Sequence, residues 1–478
     1  MKTGFLLAGM LMLSVSAAAD INSKFVAASI EQQRTSYITM ANQIWDWAEV
    51  GYQETRSSQL LQSQLKQAGF DIEANVADIP TAFVASYGSG KPVIAILAEF
   101  DALPGLSQQA MAKRAPATDG KPGHACGHHL FGVGSVAAAI AARDWLAKSD
   151  GRSGTIRLYG TPAEEGGSGK VYMVRAGLFS GVDTVLHWHA ADENRATPGT
   201  TLANRSAKFR FNGVASHAAA APESGRSALD GVEAMNHMVN MLREHVPSTT
   251  RLHYVITHGG LAPNIVPEFA EAYYYVRAPD PTQLLSIWKR VEQAALGAAL
   301  GTDTKVEWEV IHGNYNILPN VALASVMNGS LQSLGGIDYS TKEQKFAEQL
   351  VSTYTGIPRN ELGSEKTIKE FSEDIYKSSG SSDVGDVSWM APTVGLTTAT
   401  WVPGTSAHTW QAVAAGGMSI GHKGMLLAAN SMALTAVKLF DDPALVEEAK
   451  GEWLERRGKD FVYQPLLGDR PPPLDYRR

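Results

Sequence analysis

Apolar positions along the chain fall into two kinds of pattern. Between residues 28 and 70, Ile30, Tyr37, Met40, Ile44 and Trp45, then Leu60, Leu61 and Leu65, recur at helical spacing, so this segment reads as helix-rich. Val93 to Leu97 is a short unbroken apolar run, the mark of a buried strand, and it leads into Glu99-Phe100-Asp101-Ala102-Leu103-Pro104. The same grammar repeats. Leu130 to Ala147 reads as an Ala-rich helix, Thr155 to Tyr159 as a strand ending at Glu164-Glu165-Gly166-Gly167, and Thr184 to Leu186 as a strand ending at His187-Trp188-His189. Strands alternating with helices predict an α/β sheet, and open sheets of that kind present their chemistry at the carboxyl ends of the strands.

From about Asn204 the pattern changes to strand (Lys208 to Phe211), helix (Ala228 to Glu244), strand (Leu252 to Ile256), strand (Glu271 to Val276), helix (Thr282 to Ala298) and strand (Lys305 to Ile311). This βαββαβ order builds a two-layer α+β unit by itself, so residues 204–314 read as a domain inserted into an α/β domain made of 20–203 and 315–478. Leu318 to Gln332 and Tyr339 to Gly356 read as mostly helical, and the tail around Pro471-Pro472-Pro473 as extended or loose.

Composition narrows the class. The 478 residues are 44% hydrophobic, too apolar for a disordered chain, and their net charge of −7 argues against nucleic acid as the main partner. Residues 1–19 carry Lys2, an apolar run from Phe5 to Val15 and small residues up to Ala19, the layout of a secretory signal peptide; the apolar run is too short to span a bilayer and no later stretch reads as a span. A mature protein in the periplasm or secreted, without a membrane partner, is the expectation. In such a compartment a single cysteine excludes a disulfide within the chain and leaves a thiol exposed to oxidation.

That cysteine lies in Gly123-His124-Ala125-Cys126-Gly127-His128-His129. In a turn, Cys126 and His128 can converge on one ion, and thiolate with imidazole suits zinc and related transition metals. A buried apolar cysteine near surface histidines is the other reading; protection of the thiol as a metal thiolate favours the ligand. At Glu164-Glu165 the adjacent side chains diverge, so that one can bind a metal while the other takes a proton from a metal-activated water and passes it to a leaving amine. Read alone, such a pair is a solvated turn. His189 and His408, the latter in Pro403-Gly404-Thr405-Ser406-Ala407-His408-Thr409-Trp410, are structural histidines when read singly.

Their combination is more specific. Ala98-Glu99-Phe100-Asp101-Ala102-Leu103-Pro104-Gly105, the Gly123 to His128 motif, Pro162-Ala163-Glu164-Glu165-Gly166-Gly167, the His189 strand end and the late His408 follow one order, and the chain resembles the aminoacylase/carboxypeptidase family of dinuclear metalloamidases. Within it the likeness is to the cysteine-containing amidohydrolase branch and its aminobenzoyl-glutamate utilization group, through the segment after Leu103-Pro104-Gly105-Leu106-Ser107-Gln108, Gly225-Arg226-Ser227-Ala228-Leu229-Asp230 and Asp383-Val384-Gly385-Asp386-Val387-Ser388-Trp389.

The resemblance implies a zinc-peptidase-like catalytic domain of α/β class with an inserted ferredoxin-like dimerisation domain. It implies two divalent ions, manganese or zinc with cobalt as a further candidate, bridged by Cys126 and held terminally by His128, Glu165, His189 and His408. Glu164 would be general base and acid, and Asp101 would orient a ligand. The inserted domain would make a homodimer, or a heteromer with a related subunit, in which His217 of Ala215-Ser216-His217-Ala218-Ala219 stabilises the oxyanion in the neighbouring subunit's site. Asn264 and Arg277 would bind the carboxylate of a small N-acyl amino acid substrate, an arginine fork being suited to that group. The sequence departs from the family pattern at His129, where Asp or Asn is usual, and in holding two strand-end histidines, so that His187 competes with His189. His124 and His129 are either extra ligands or groups behind the ligands or on the surface, and Trp188, Trp401 and Trp410 belong either to an aromatic acyl pocket or to the core. The expected activity is hydrolysis of the amide of an N-acyl or N-aroyl amino acid; a dipeptidase or carboxypeptidase with the same centre, and a non-hydrolytic subunit needing a catalytic partner, are the alternatives.

Overall fold

The computed structural model describes residues 21–118, 120–148 and 152–477. The segment read as a signal peptide lies outside them. The strands in chain order are β1 (Asp71–Ala74), β2 (Phe83–Ser89), β3 (Val93–Ala98), β4 (Gly154–Gly160) and β5 (Thr184–Ala191), then β6 (Gly199–Thr200), β7 (Ala203–Asn212), β8 (Arg251–His258), β9 (Phe269–Ala278) and β10 (Lys305–Asn314), and finally β11 (Tyr376–Lys377) and β12 (Thr393–Ala399). One sheet has the order β1-β2-β4-β3-β5-β12, with β2 antiparallel to both neighbours and β4, β3, β5 and β12 mutually parallel. Every residue of β3 is buried, as its unbroken apolar run requires.

The helices His128–Ala147 and Ser419–Asp441 pack on each other within the core of this sheet. By length and composition His128–Ala147 is able to cross a membrane, a property its Ala-rich pattern does not advertise, but 83% of its apolar window is buried inside the fold. It is a core helix. Its Gly134 admits the ring of Trp188, to which a Cβ there would come within 3.0 Å.

β5 continues beyond Leu186 to Ala191, so His187, Trp188 and His189 lie within the strand and not after its end. Period-two alternation then decides their fates. Trp188 is fully buried and donates from Nε1 to the Phe131 carbonyl at 3.1 Å, whereas His187 and His189 share the opposite face.

The second sheet, β10-β7-β9-β8, is antiparallel throughout and built in the expected βαββαβ order, with the helices Ala228–Leu242 and Pro281–Gly301. It has its own core, in which Phe209, Phe211, Met235, Tyr274 and Trp288 meet. On β9 the alternate residues Ala272, Tyr274 and Val276 enter that core, leaving Tyr273, Tyr275 and Arg277 on the other face.

The C-terminal segment is not loose. Arg175 donates to the Gly468 and Arg470 carbonyls at 3.0 and 2.8 Å, and Gln53 donates to the Leu474 carbonyl at 2.7 Å. Tyr476 packs edge-on to Tyr52, and Gly51 makes room for it, since a Cβ there would lie 2.3 Å from the Tyr476 hydroxyl. Tyr476 and Arg477 both donate to the Glu165 carbonyl, at 3.1 and 2.7 Å. Proline composition marks a chain that cannot form helix or ladder, but aromatic and arginine side chains still anchor it. Because one such hydrogen bond is worth about 1 kcal/mol, Arg477→Ala is expected to raise amide hydrogen exchange across residues 164–168 roughly fivefold with unchanged far-ultraviolet dichroism. Unchanged exchange would show that the tail does not hold this turn.

Candidate metal centre and active site

Asp101, just past the end of β3, joins two segments far apart in sequence. Its Oδ1 accepts from His128 Nδ1 at 2.9 Å, and its Oδ2 accepts from the Glu165 amide at 2.9 Å. With Nδ1 committed as a donor, the neutral His128 ring keeps a lone pair on Nε2. His189 is fixed the same way: its Nδ1 donates to the Ala190 carbonyl at 2.7 Å, and its Nε2 lies 3.5 Å from Cys126 Sγ. Gly127 sits between Cys126 and His128 at φ +76, with the Ala190 Cβ only 2.4 Å from where its own would be, so no larger residue fits this turn.

The Glu164–Glu165 turn is also shaped by its backbone. Ala163 is left-handed at φ 57, and its amide donates to Glu54 Oε1 at 2.8 Å, a buried carboxyl that also accepts from Thr81. Glu165 then points to His408, whose Nε2 is 3.2 Å from Glu165 Oε1; His408 is itself left-handed, its amide donating to the Ala125 carbonyl at 2.9 Å.

Two donor groups share the cysteine. Cys126, His128 and His189 form one and Cys126, Glu165 and His408 the other, with ligand atoms inside 4.8 Å of one another and the thiol common to both. The spacing fits metal ligation: a thiolate about 2.3 Å and an imidazole nitrogen about 2.05 Å from one ion at a tetrahedral angle stand about 3.5 Å apart, the Cys126–His189 distance. The His128 Nε2 and Glu165 Oε1 atoms are buried without an aligned hydrogen bond, their polar neighbours being Glu99 Oε2 at 3.0 Å and His408 Nε2 at 3.2 Å, and a cation among them would satisfy both. Burial, with Glu165 beside it, pushes the Cys126 thiol up. Burial, together with Glu99, Glu165 and Asp383, likewise raises Glu164 well above the ordinary carboxyl range. A bound divalent charge opposes both effects.

The remaining candidates separate. His187 stays out of both donor groups; it stands over Gly395, where a Cβ would meet its ring at 2.4 Å, and lines a cavity of about 440 Å³ with Glu99, Phe131, His189, Arg195 and Tyr376. His124 and His129 are buried beneath the cysteine turn, not on the surface, donating to the Ile44 and Gly416 carbonyls at 3.1 Å each. Burial holds His124 down to about 3 and His129 well below its usual range, so both are neutral structural groups. Trp188 and Trp401 belong to the core, whereas Trp410 lines a second cavity of about 350 Å³ beside His408 and Arg114.

His217 and Asn264 lie together on exposed loops of the second sheet's unit, where the Ala218 amide donates to the Asn264 carbonyl at 3.1 Å. His217 Nδ1 accepts from the Ala219 and Ala220 amides at 3.2 and 3.1 Å, which leaves the proton on Nε2 as an outward donor. Arg277 is half-buried beside Tyr275. Among the described residues no hydrogen bond or ion pair links these three to the donor groups.

Sequence reasoning missed a buried charged group behind the turn. Lys170 Nζ pairs with Glu99 Oε1 and Asp383 Oδ1 at 2.7 Å each, and Glu99 Oε2 is 3.0 Å from His128 Nε2. The available signal was Glu99 standing two residues before Asp101 at a strand end.

Comparison with known proteins identifies the family. A family model for the peptidase dimerisation domain matches residues 203–303. One of the subunits of p-aminobenzoyl-glutamate hydrolase from Escherichia coli is 43% identical over 90% of this chain and 94% of its own length. A mouse Xaa-Arg dipeptidase is 30% identical over 92% of this chain and 94% of its own. Two solved structures share the fold at 17% identity: a dinuclear metal-binding peptidase of the M20 family from Bacillus subtilis (TM-score 0.59, 86% of this chain and 99% of that one), and an aminobenzoyl-glutamate utilization protein from Klebsiella pneumoniae (TM-score 0.58, 86% and 97%). With identity of this level along nearly its whole length, and the dimerisation-domain match falling on the second sheet, the chain belongs to the M20 family of peptidases and amide-bond hydrolases.

Proposed function

We propose that this protein hydrolyses the amide bond of N-acyl or N-aroyl amino acids such as aminobenzoyl-glutamate, using two divalent ions, manganese or zinc with cobalt also suited, in the two donor groups that share Cys126. The observation that carries this reading is that shared thiol, with Glu164 adjoining. The ions, when bound, supply an activated water and polarise the scissile carbonyl. Glu164 takes the water's proton and returns it to the leaving amine, while Asp101 holds the His128 ring and the Glu165 backbone in register.

The second sheet's unit completes the site from a neighbouring subunit in this proposal. Supporting it, β8 is an edge strand with Val255 and Ile256 exposed, and Val214, Leu261 and Ile265 are exposed near His217, an apolar patch that a partner would cover. The outward Nε2–H of His217 would donate to the oxyanion across that interface, and Asn264 and Arg277 would hold the substrate carboxylate. The partner is a second copy of this chain or a related subunit; the likeness to a protein that is itself one subunit of a hydrolase favours keeping both. A dipeptidase activity is the second reading, on the strength of the Xaa-Arg dipeptidase likeness. The compartment proposed is the periplasm or the extracellular space, from the leader-like residues 1–19.

Turnover of the purified protein on aminobenzoyl-glutamate, N-acetyl amino acids and Xaa-Arg dipeptides tests the choice. Preference for the first class is expected, and preference for dipeptides would replace this reading. Glu164→Gln should keep both ions and lose roughly 10² to 10⁴-fold in turnover, whereas Glu165→Gln should lose metal; near-normal turnover in Glu164→Gln would place the base elsewhere. His217→Ala should lower turnover roughly 10² to 10³-fold with metal content intact. Mixed with Glu164→Gln under subunit exchange, it should regain activity through hybrid dimers, and the absence of recovery despite proven exchange would show that His217 does not act across subunits.

A further inference from the structure

The cavity of about 440 Å³ that His187 lines has no occupant in the reading above, although its size falls within the range of small-molecule sites, roughly 300 to 1,000 Å³. It borders the centre through His189, a member of one donor group, and through Ala407, next to His408, and its walls are apolar, with Phe131, Pro198, Ile317, Pro319 and Val384 among them. The charged side chains lining it are Glu99 and Arg195, and both are paired. Lys170 donates to Glu99 Oε1 at 2.7 Å, while Arg195 meets Glu193 at 3.3 Å and stacks on Tyr376 at 3.8 Å. A substrate half that carries free carboxylates finds no uncommitted cation here, whereas an uncharged apolar half finds a matching surface. Along one side, β5 and β12 pair in parallel with His187 opposite Gly395 and His189 opposite Thr397, so the two histidines stand on one face, two residues and therefore about 6.6 Å apart. His189 is tied to the Ala190 carbonyl and lies next to Cys126, but the His187 ring has no hydrogen-bond partner among the described residues. A neutral imidazole offers one acceptor and one donor. A benzoyl group measures roughly 6 Å from its carbonyl carbon to a nitrogen at the para position, counting bonds of about 1.4 to 1.5 Å, close to the step between the two rings.

We propose that this cavity receives the acyl half of the substrate, that it selects an aromatic acyl group, and that His187 reads a para amine, which donates to the unprotonated ring nitrogen. This rests on the amide-hydrolase reading proposed above and adds its specificity. The scissile carbonyl sits at the donor groups beside His189, the aromatic ring runs along the β5–β12 face toward His187, and the amino-acid half with its carboxylates stays outside the apolar walls. The two histidines of β5 divide the work, His189 serving the centre and His187 the acyl group. Gly395 is the small residue this requires, because a Cβ there would meet the His187 ring at 2.4 Å and displace it into the space the substrate needs.

The test compares 4-aminobenzoyl-glutamate with benzoyl-glutamate, which differ only in the amine, as substrates of the metal-loaded full-length protein. In wild type kcat/KM should favour the aminobenzoyl substrate, and His187→Ala should reduce that ratio about tenfold with metal content intact, the cost of one hydrogen bond lost between ligand and site. A ratio that His187→Ala leaves unchanged would overturn the proposal while the hydrolase reading stands, and loss of metal in that variant would make His187 a ligand instead. No turnover of either substrate by wild type would overturn both readings. Should His187→Ala fail to fold, a crystal of the wild-type protein with 4-aminobenzoate decides. The amine nitrogen should lie within about 3.2 Å of a His187 ring nitrogen, and a ring bound elsewhere, or not at all, would overturn the assignment.

Discussion

The carboxylate of Asp101 is the joint on which the rest of the centre depends. One oxygen fixes the His128 ring and the other the backbone of Glu165, so a single side chain at the end of β3 sets the relative position of both donor groups. It works because it is buried in a place where water cannot compete for either bond. Glu54 has the matching role at the adjoining turn, holding the Ala163 amide and hence the left-handed step that leads into Glu164 and Glu165.

This arrangement gathers Glu99, Asp101, Glu164, Glu165 and Asp383 around one buried lysine and a few histidines. Carboxylates brought together away from water repel one another and lose solvation, and one cation on Lys170 does not compensate them all. The raised Glu164 carboxyl and Cys126 thiol express that imbalance. Divalent ions relieve it, so the same electrostatics that make the centre costly without metal make it selective for holding metal. The surrounding fold supplies the rigidity: β3, β4 and β5 lie side by side in the sheet, the Ala-rich helix seats on them with Trp188 under Gly134, and the C-terminal tail closes the turn from behind.

The inserted unit is independent of this chemistry in its own packing. Its helices and sheet share a separate apolar core, and its contact with the Glu164 turn includes a hydrogen bond between Ser168 Oγ and His312 Nδ1. A unit packed on its own core that presents His217, Asn264 and exposed apolar residues outward has the surface that the proposed subunit interface requires.

Apolar periodicity by itself determined the buried β3, the Ala-rich helix and the βαββαβ unit, because each buries residues in a spacing that only one local structure satisfies. Motif order singled out Cys126, His128, Glu165, His189 and His408, which stand in recognisable short contexts and which the fold brings together. Only the tertiary structure decided between His187 and His189: both share one face of β5, and the choice rests on which ring lies next to a thiol contributed by a turn some sixty residues earlier. It also decided that His124 and His129 serve the backbone beneath that turn, that the proline-rich tail is anchored, and that Glu99 faces His128. Those outcomes depend on contacts between segments distant in the chain, where neither local propensity nor spacing carries information, and on the burial that turns a polar side chain from a solvated group into a ligand.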